Sequence, residues 1–182
     1  MSEGPYQFHD RRGLPKASLY RDLQLEFSGL AGPRWLANCA NLSSLIFHHL
    51  PDLNWAGFYF VDDVANTASQ LRLGPFHGLP ACLDIHFSRG VCGAAARTRQ
   101  TQIVPDVEHF PGHIACDATS RSEIVIPLLL HRGQAEEKLL GVLDLDSPLP
   151  NRFDNVDAEG LQILIDLLLE KSKWPSHWSD AF

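Results

Sequence analysis

The chain has 182 residues, with 15 basic side chains against 22 acidic ones and a formal net charge of −7. That is the length of one domain able to bury a sizeable core, and an apolar content of 45% excludes a wholly disordered chain. The acidic balance argues against a nucleic-acid-binding surface. No apolar run approaches the roughly 18 residues needed to cross a bilayer, and the opening MSEGPYQFHDRRG lacks the apolar stretch of a secretory signal. Four Cys are too few for a disulfide scaffold, which points to a reducing compartment where each is buried, metal-bound or reactive.

Residues 1–15 are polar and broken by Gly4, Pro5, Gly13 and Pro15, and read as a flexible extension or docking arm. A helix is predicted from Lys16 to Phe27, interrupted by Gly29, Gly32 and Pro33. Trp35, Leu36, Cys39, Leu42, Leu45, Ile46 and His49 then follow helical spacing to about Leu50. The aromatic run Asn54–Asp63 reads as a strand, Gln70–Phe76 as a second and Cys82–Phe87 as a third. A short Ala-rich helix is expected over Val91–Arg99, then a small strand over Thr101–Val104. Residues 105–122 form a long irregular stretch, of the kind that is functional when it occurs inside a compact domain. Glu123–Leu130 and Leu139–Asp146 read as strands joined by a charged hairpin loop. Asp154 is placed to cap a last helix whose apolar stripe is Leu161, Leu164, Ile165, Leu168 and Leu169. The tail 174–182 reads as peripheral. Runs of strands with helices before and after them indicate an α+β fold, a mainly antiparallel sheet flanked by helices.

Cys39 shares its helical spacing with Trp35, Leu42 and Ile46 and reads as a core residue. Cys82 opens a strand after Gly78 and Pro80, Cys92 sits between Gly90 and Gly93 at a helix start, and Cys116 lies in the long loop. Each could be inert, but at a helix N-terminus the dipole is expected to lower the thiol pKa of Cys92. A zinc site competes with a redox role, although intervals of ten and twenty-four residues contain no CxxC pair.

Asp144 and Asp146 alternate with Leu143 and Leu145 and therefore share one strand face. They either sit at a solvent edge or form a site for a cationic ligand or a shared proton. Glu123 joins them if the two late strands pair as a hairpin, and three clustered acids would raise at least one pKa. A neutral carboxyl could then donate a proton near pH 7. Trp55 and Tyr59 also share a face, either as packing or as an aromatic wall with the Tyr hydroxyl as its polar handle.

The stretch LGPFHGLPACLDIHFSRGVCGAAARTRQTQIVPDVEHFPGHIACDATSRSEIVIPL, followed by LLGVLDLDSPLPNRFD, closely resembles the free methionine-(R)-sulfoxide reductases. The likeness runs from about Ser43 to Leu168, and the blocks GVCG, VPDV, FPGHIACDA, SEIV and VLDLDSP carry it together. It implies a single GAF-like catalytic domain over residues 16–173. It also implies thiol-dependent reduction of free methionine-(R)-sulfoxide, with Cys116 as the catalytic cysteine, Cys82 as the principal resolving cysteine and Cys92 as an alternative one. Glu123, Asp144 and Asp146 would hold and protonate the substrate, while Trp55 and Tyr59 would line the pocket for its methyl end. The resemblance further implies no bound cofactor and no metal. Electrons would come from thioredoxin, fed by NADPH through thioredoxin reductase. It implies a homodimer, a cytoplasmic location with a nuclear pool allowed, and a part in the response to oxidative stress. The alternative is a non-catalytic GAF module for small-molecule sensing or dimerisation.

Overall fold

A strand buried on both faces must be apolar along its whole length, and the Trp55–Val61 segment WAGFYFV is buried at every position. This strand, β1, sits near the centre of a six-stranded sheet in the computed structural model, which describes residues 6–7, 9–11, 13–61, 69–112 and 119–175. The helices are α1 (Lys16–Leu30), α2 (Trp35–His49), α3 (Gly90–Thr98) and α4 (Asn155–Lys171). The other strands are β2 (Gln70–Gly78), β3 (Asp84–His86), β4 (Gln102–Val104), β5 (Ser122–Leu130) and β6 (Lys138–Ser147). The sheet order is β3-β2-β1-β6-β5-β4, and all five pairings are antiparallel. No described helix is long and apolar enough to cross a membrane.

Strand alternation divides the core in two. Ala56, Phe58, Phe60, Ile124, Ile126, Leu128, Leu143 and Leu145 face α1, α2 and α4. Trp55, Tyr59, Val61, Val125, Leu129 and Val142 face the opposite way, toward Val91, Cys92, Ala95 and Ala96 of α3. The larger core is therefore a three-helix layer, and the smaller one lies beneath a single short helix.

Most predicted elements are present, with three corrections. α1 continues through Gly29 to Leu30, because a glycine in an exposed last turn costs only about 1 kcal/mol and Phe27 is fully buried just before it. β3 is shorter than predicted, so Cys82 precedes the strand rather than opening it. The tail is not wholly peripheral: Trp174 rests its ring 5.7 Å from that of Trp35 and 6.3 Å from that of Phe60. At the other end, Arg11 forms ion pairs with Glu26 and Asp22 of α1, as a docking arm would.

The α1–α4 junction is polar at its centre. Asp154 caps α4 and forms a reciprocal capping box with Asp157. Asp157 is fully buried, and its carboxylate also accepts from the Tyr20 hydroxyl at 2.8 Å, from Arg152 at 3.3 Å and from Lys16. Gly160 allows the close approach, since a Cβ there would lie 2.2 Å from the Tyr20 ring. Asp157→Ala strands a buried guanidinium and a buried hydroxyl, and is expected to destabilise the fold by about 3–5 kcal/mol in urea denaturation; a loss below about 1 kcal/mol would contradict this network's role.

Candidate active site

Three adjacent strands set the floor of a pocket. Trp55, Asp146 and Glu123 occupy one row across β1, β6 and β5, and Gly57, Asp144 and Val125 occupy the next. The hairpin pairing of β5 with β6 thus brings Glu123 beside the two aspartates. The pocket is lined by these three acids with Trp55, Tyr59, Cys92 and Ser120, and closed by residues 79–81, Ile85, Gly90 and Val91. It holds about 550 Å³ free of protein atoms, open solvent at its mouth included.

Glycine at 57 shapes the wall. A Cβ at this position would come within 2.6 Å of the Trp55 ring and 2.3 Å of the Phe76 Cβ. Without one, the Trp55 indole lies over the strand, 5.3 Å from the Phe76 ring and 5.7 Å from that of Tyr59, nearly parallel to both. The polar atoms of both aromatics point to the loop before β3. Trp55 Nε1 donates to the Leu79 carbonyl at 3.2 Å, and the Tyr59 hydroxyl donates to the Cys82 carbonyl at 3.2 Å. The Tyr59 hydroxyl is therefore engaged with the chain itself rather than offered as a handle to a ligand.

Glu123 and Asp144 are not at a solvent edge, whereas Asp146 is half-buried. Glu123 and Asp144 are each 6% exposed. Burial pushes the Glu123 carboxyl well above its usual range, and the charges of Asp144 and Asp146 push it further. Burial likewise raises Asp144 to about 7, against hydrogen bonds from Cys92 and Glu123 that lower it. Two buried carboxyls in contact cannot both ionise near neutrality, so the pair holds a proton. Asp144 Oδ1 has no hydrogen-bond partner among the described residues, and it borders the pocket as an acceptor ready for a donor.

Cys92 corrects the helix-dipole expectation. It lies in the first turn of α3 but is only 4% exposed, and its Sγ is 3.9 Å from Glu123 Oε1. Burial first, and then the charges of Asp144 and Glu123, raise its pKa well above the ordinary thiol value. Desolvation and two acids outweigh the dipole of a short helix. Cys92, Glu123 and Asp144 each bring a ligand atom to within 4.8 Å of the others, a spacing suited to one cation. A soft metal would first have to remove the proton from that thiol.

Cys82 is half-buried and disulfide-bonded, whereas Cys39 and Cys92 are free thiols. Burial raises the Cys39 thiol pKa, as expected of a core residue. Cys116 lies outside the described residues. The chain on either side of residues 113–118 is held at the pocket: the Gly90 N–H donates to the Gly112 carbonyl at 3.1 Å, and Asn54 donates to Ser120 at 3.0 Å and Thr119 at 3.2 Å. Sequence reasoning missed Gly57 and the carbonyls of Leu79 and Cys82; the lone glycine inside an aromatic strand was the available signal.

A GAF domain model matches residues 14–168. The chain is 45% identical over 161 residues to a free methionine-R-sulfoxide reductase of Saccharomyces cerevisiae, covering 85% of this chain and 86% of the relative. It is also 45% identical over 152 residues to one of Escherichia coli, covering 82% and 86%. Among solved structures it resembles the Neisseria meningitidis free methionine-R-sulfoxide reductase in complex with its substrate. That match has a TM-score of 0.81 and 37% identity, covering 92% of this chain and 95% of the other.

The buried acid pair makes a stability prediction. Between pH 3.8 and about 7 the folded protein keeps a proton on Asp144 that the unfolded chain releases. Stability therefore falls as pH rises through that window. Asp144→Asn removes this titration and is expected to raise urea-denaturation stability at about pH 8 by about 1–3 kcal/mol while flattening its dependence on pH. A variant less stable than the parent at that pH would contradict the buried proton.

Proposed function

Because this chain belongs to the GAF-fold family of free methionine-R-sulfoxide reductases, we propose that it reduces free L-methionine-(R)-sulfoxide through a sulfenic acid on Cys116 and a disulfide with Cys82. The observation that carries this reading is the buried, proton-holding pair Glu123–Asp144 facing an aromatic wall in one pocket.

A sulfoxide sulfur is a weak electrophile until its oxygen accepts a proton, and a neutral carboxyl of the acid cluster supplies one. The Cys116 thiolate attacks the sulfur, and the protonated oxygen takes a second proton and leaves as water, giving a sulfonium joined to Cys116 by an S–S bond. Water then attacks the Cys116 sulfur, the S–S bond breaks, methionine leaves and Cys116 is left as a sulfenic acid. The Cys82 thiol then attacks that sulfur, a disulfide forms and the oxygen departs as water. Two electrons from an external dithiol reopen the disulfide by exchange; thioredoxin, supplied by NADPH through thioredoxin reductase, fills this role. Cys82 is the resolving thiol in preference to Cys92, because Cys92 is held protonated beside two acids.

The acids also select the substrate. The ammonium of a free amino acid supplies the positive charge and the hydrogen-bond donor that Asp144 Oδ1 lacks. A methionine sulfoxide within a polypeptide brings a neutral amide instead and would leave buried charge uncompensated, at a cost of several kcal/mol. The stacked Trp55 and Tyr59 rings take the methyl end. The enzyme works in the cytoplasm as a homodimer, and the exposed Leu25 and Ile163, which border a shared groove between α1 and α4, suit such a contact.

The test is a thioredoxin-coupled assay with R and S epimers, free and N-acetylated. Turnover is expected with the free R epimer alone. Cys116→Ser is expected to lower it by about 10³-fold or more, and retained turnover in that variant would refute the nucleophile. The single-turnover rate is further expected to fall as pH rises through the region of about 7 where Asp144 loses its proton; a rate that only climbs with pH would remove Asp144 as a proton donor.

A further inference from the structure

The loop between β2 and β3 is held at three carbonyls. That of Leu79 accepts from Trp55 Nε1 at 3.2 Å, that of Cys82 accepts from the Tyr59 hydroxyl at 3.2 Å, and that of Leu83 accepts from the Leu73 N–H at 2.9 Å. Only the last continues the β2–β3 ladder, one residue beyond its paired strands. The other two come from the residues that form the aromatic wall of the pocket. Leu79 is 64% exposed, Leu83 is 72% exposed and Pro80 is exposed as well, whereas Ala81 and Cys82 pack against the smaller core and Cys82 is also held by its disulfide.

Both donors are rigid. Trp55 is 3% and Tyr59 1% exposed, and Trp55 is stacked between Phe76 and Tyr59. Burial, with the nearby charges of Asp144, Cys92, Asp146 and Glu123, raises the Tyr59 phenol pKa, so the hydroxyl keeps the proton it donates. A buried hydroxyl aimed at a peptide carbonyl, on a side chain long enough to cross from the sheet to the loop, restrains the backbone at Cys82 itself.

We propose that Trp55 and Tyr59 form a clasp that positions Cys82 for disulfide closure, with the Tyr59 hydroxyl as its principal positioning group. The aromatic pair then has two tasks. Its ring faces line the pocket in which the sulfoxide is reduced, and its polar atoms fix the thiol that acts in the next step. This inference rests on the proposed function for the second task, while the restraint on Cys82 stands on the geometry alone.

Tyr59→Phe separates the tasks, because it keeps the ring and removes the hydroxyl. Two quantities are read. The first is the rate of alkylation of Cys82 by iodoacetamide in the fully reduced protein, located by mass spectrometry. The second is the ratio of the disulfide-closure rate to the methionine-formation rate in a single turnover. Loss of one hydrogen bond is expected to raise the first and lower the second by about threefold to tenfold. Trp55→Phe, which removes the Leu79 anchor and keeps an aromatic wall, is expected to act in the same direction and serves if the first variant does not fold. An unchanged alkylation rate or an unchanged ratio overturns the clasp. A parent protein that forms no methionine overturns the proposed function instead, and Cys82 alkylation still decides whether Tyr59 restrains the loop.

Discussion

Two carboxyls buried side by side cannot both be charged, and the β5–β6 pairing gives Glu123 and Asp144 no way to separate. Asp144 faces Val125 and Asp146 faces Glu123 across the two strands, with α3 lying over them. The burial that makes these acids costly to ionise also gives them a proton to donate near neutrality. Three further properties of the site follow. The thiol of Cys92 stays protonated beside them. Asp144 Oδ1 awaits a donor. The acid pair also makes the fold less stable as pH rises through its titration. The large helical core on the opposite face, with Asp157 at its polar centre, holds the strands in register against that strain.

The two sides of the sheet divide labour accordingly. One carries the long helices and the larger core. The other carries a short helix, a short edge strand and two loops that meet at the pocket. A pocket beneath short elements can admit a ligand without disturbing the main core, and its side chains are held by direct contacts rather than by layers of packing. Gly57 and the Trp55–Tyr59 stack show the scale of these contacts: one added methyl group would displace the indole that braces the Cys82 loop.

Much of this was legible in the sequence because strand alternation is a local rule. It placed Asp144 and Asp146 on one face, Trp55 and Tyr59 on another strand's single face, and Glu123 opposite them once a hairpin was assumed. The short blocks around the cysteines and acids supported the family resemblance, which the relatives then bore out. What was not legible depends on residues distant in the chain. The acids' burial requires α3 to close over β5 and β6. The pKa of Cys92 is set by acids on two strands far along the chain rather than by its own helix. The partner of the Tyr59 hydroxyl is a backbone carbonyl, which leaves no mark in the sequence. The early end predicted for α1 and the peripheral reading of Trp174 failed for the same reason: burial of Phe27 and the packing of Trp174 against Trp35 are tertiary effects.

Carboxyl-carbon NMR titration of Glu123 and Asp144 reads the shared proton directly, with Asp144→Asn for assignment. At about pH 6 at least one of the two is expected to remain protonated, and their titrations are expected to be interdependent. Two independent transitions near the ordinary values of 4.5 for Glu123 and 3.8 for Asp144 would contradict the shared proton.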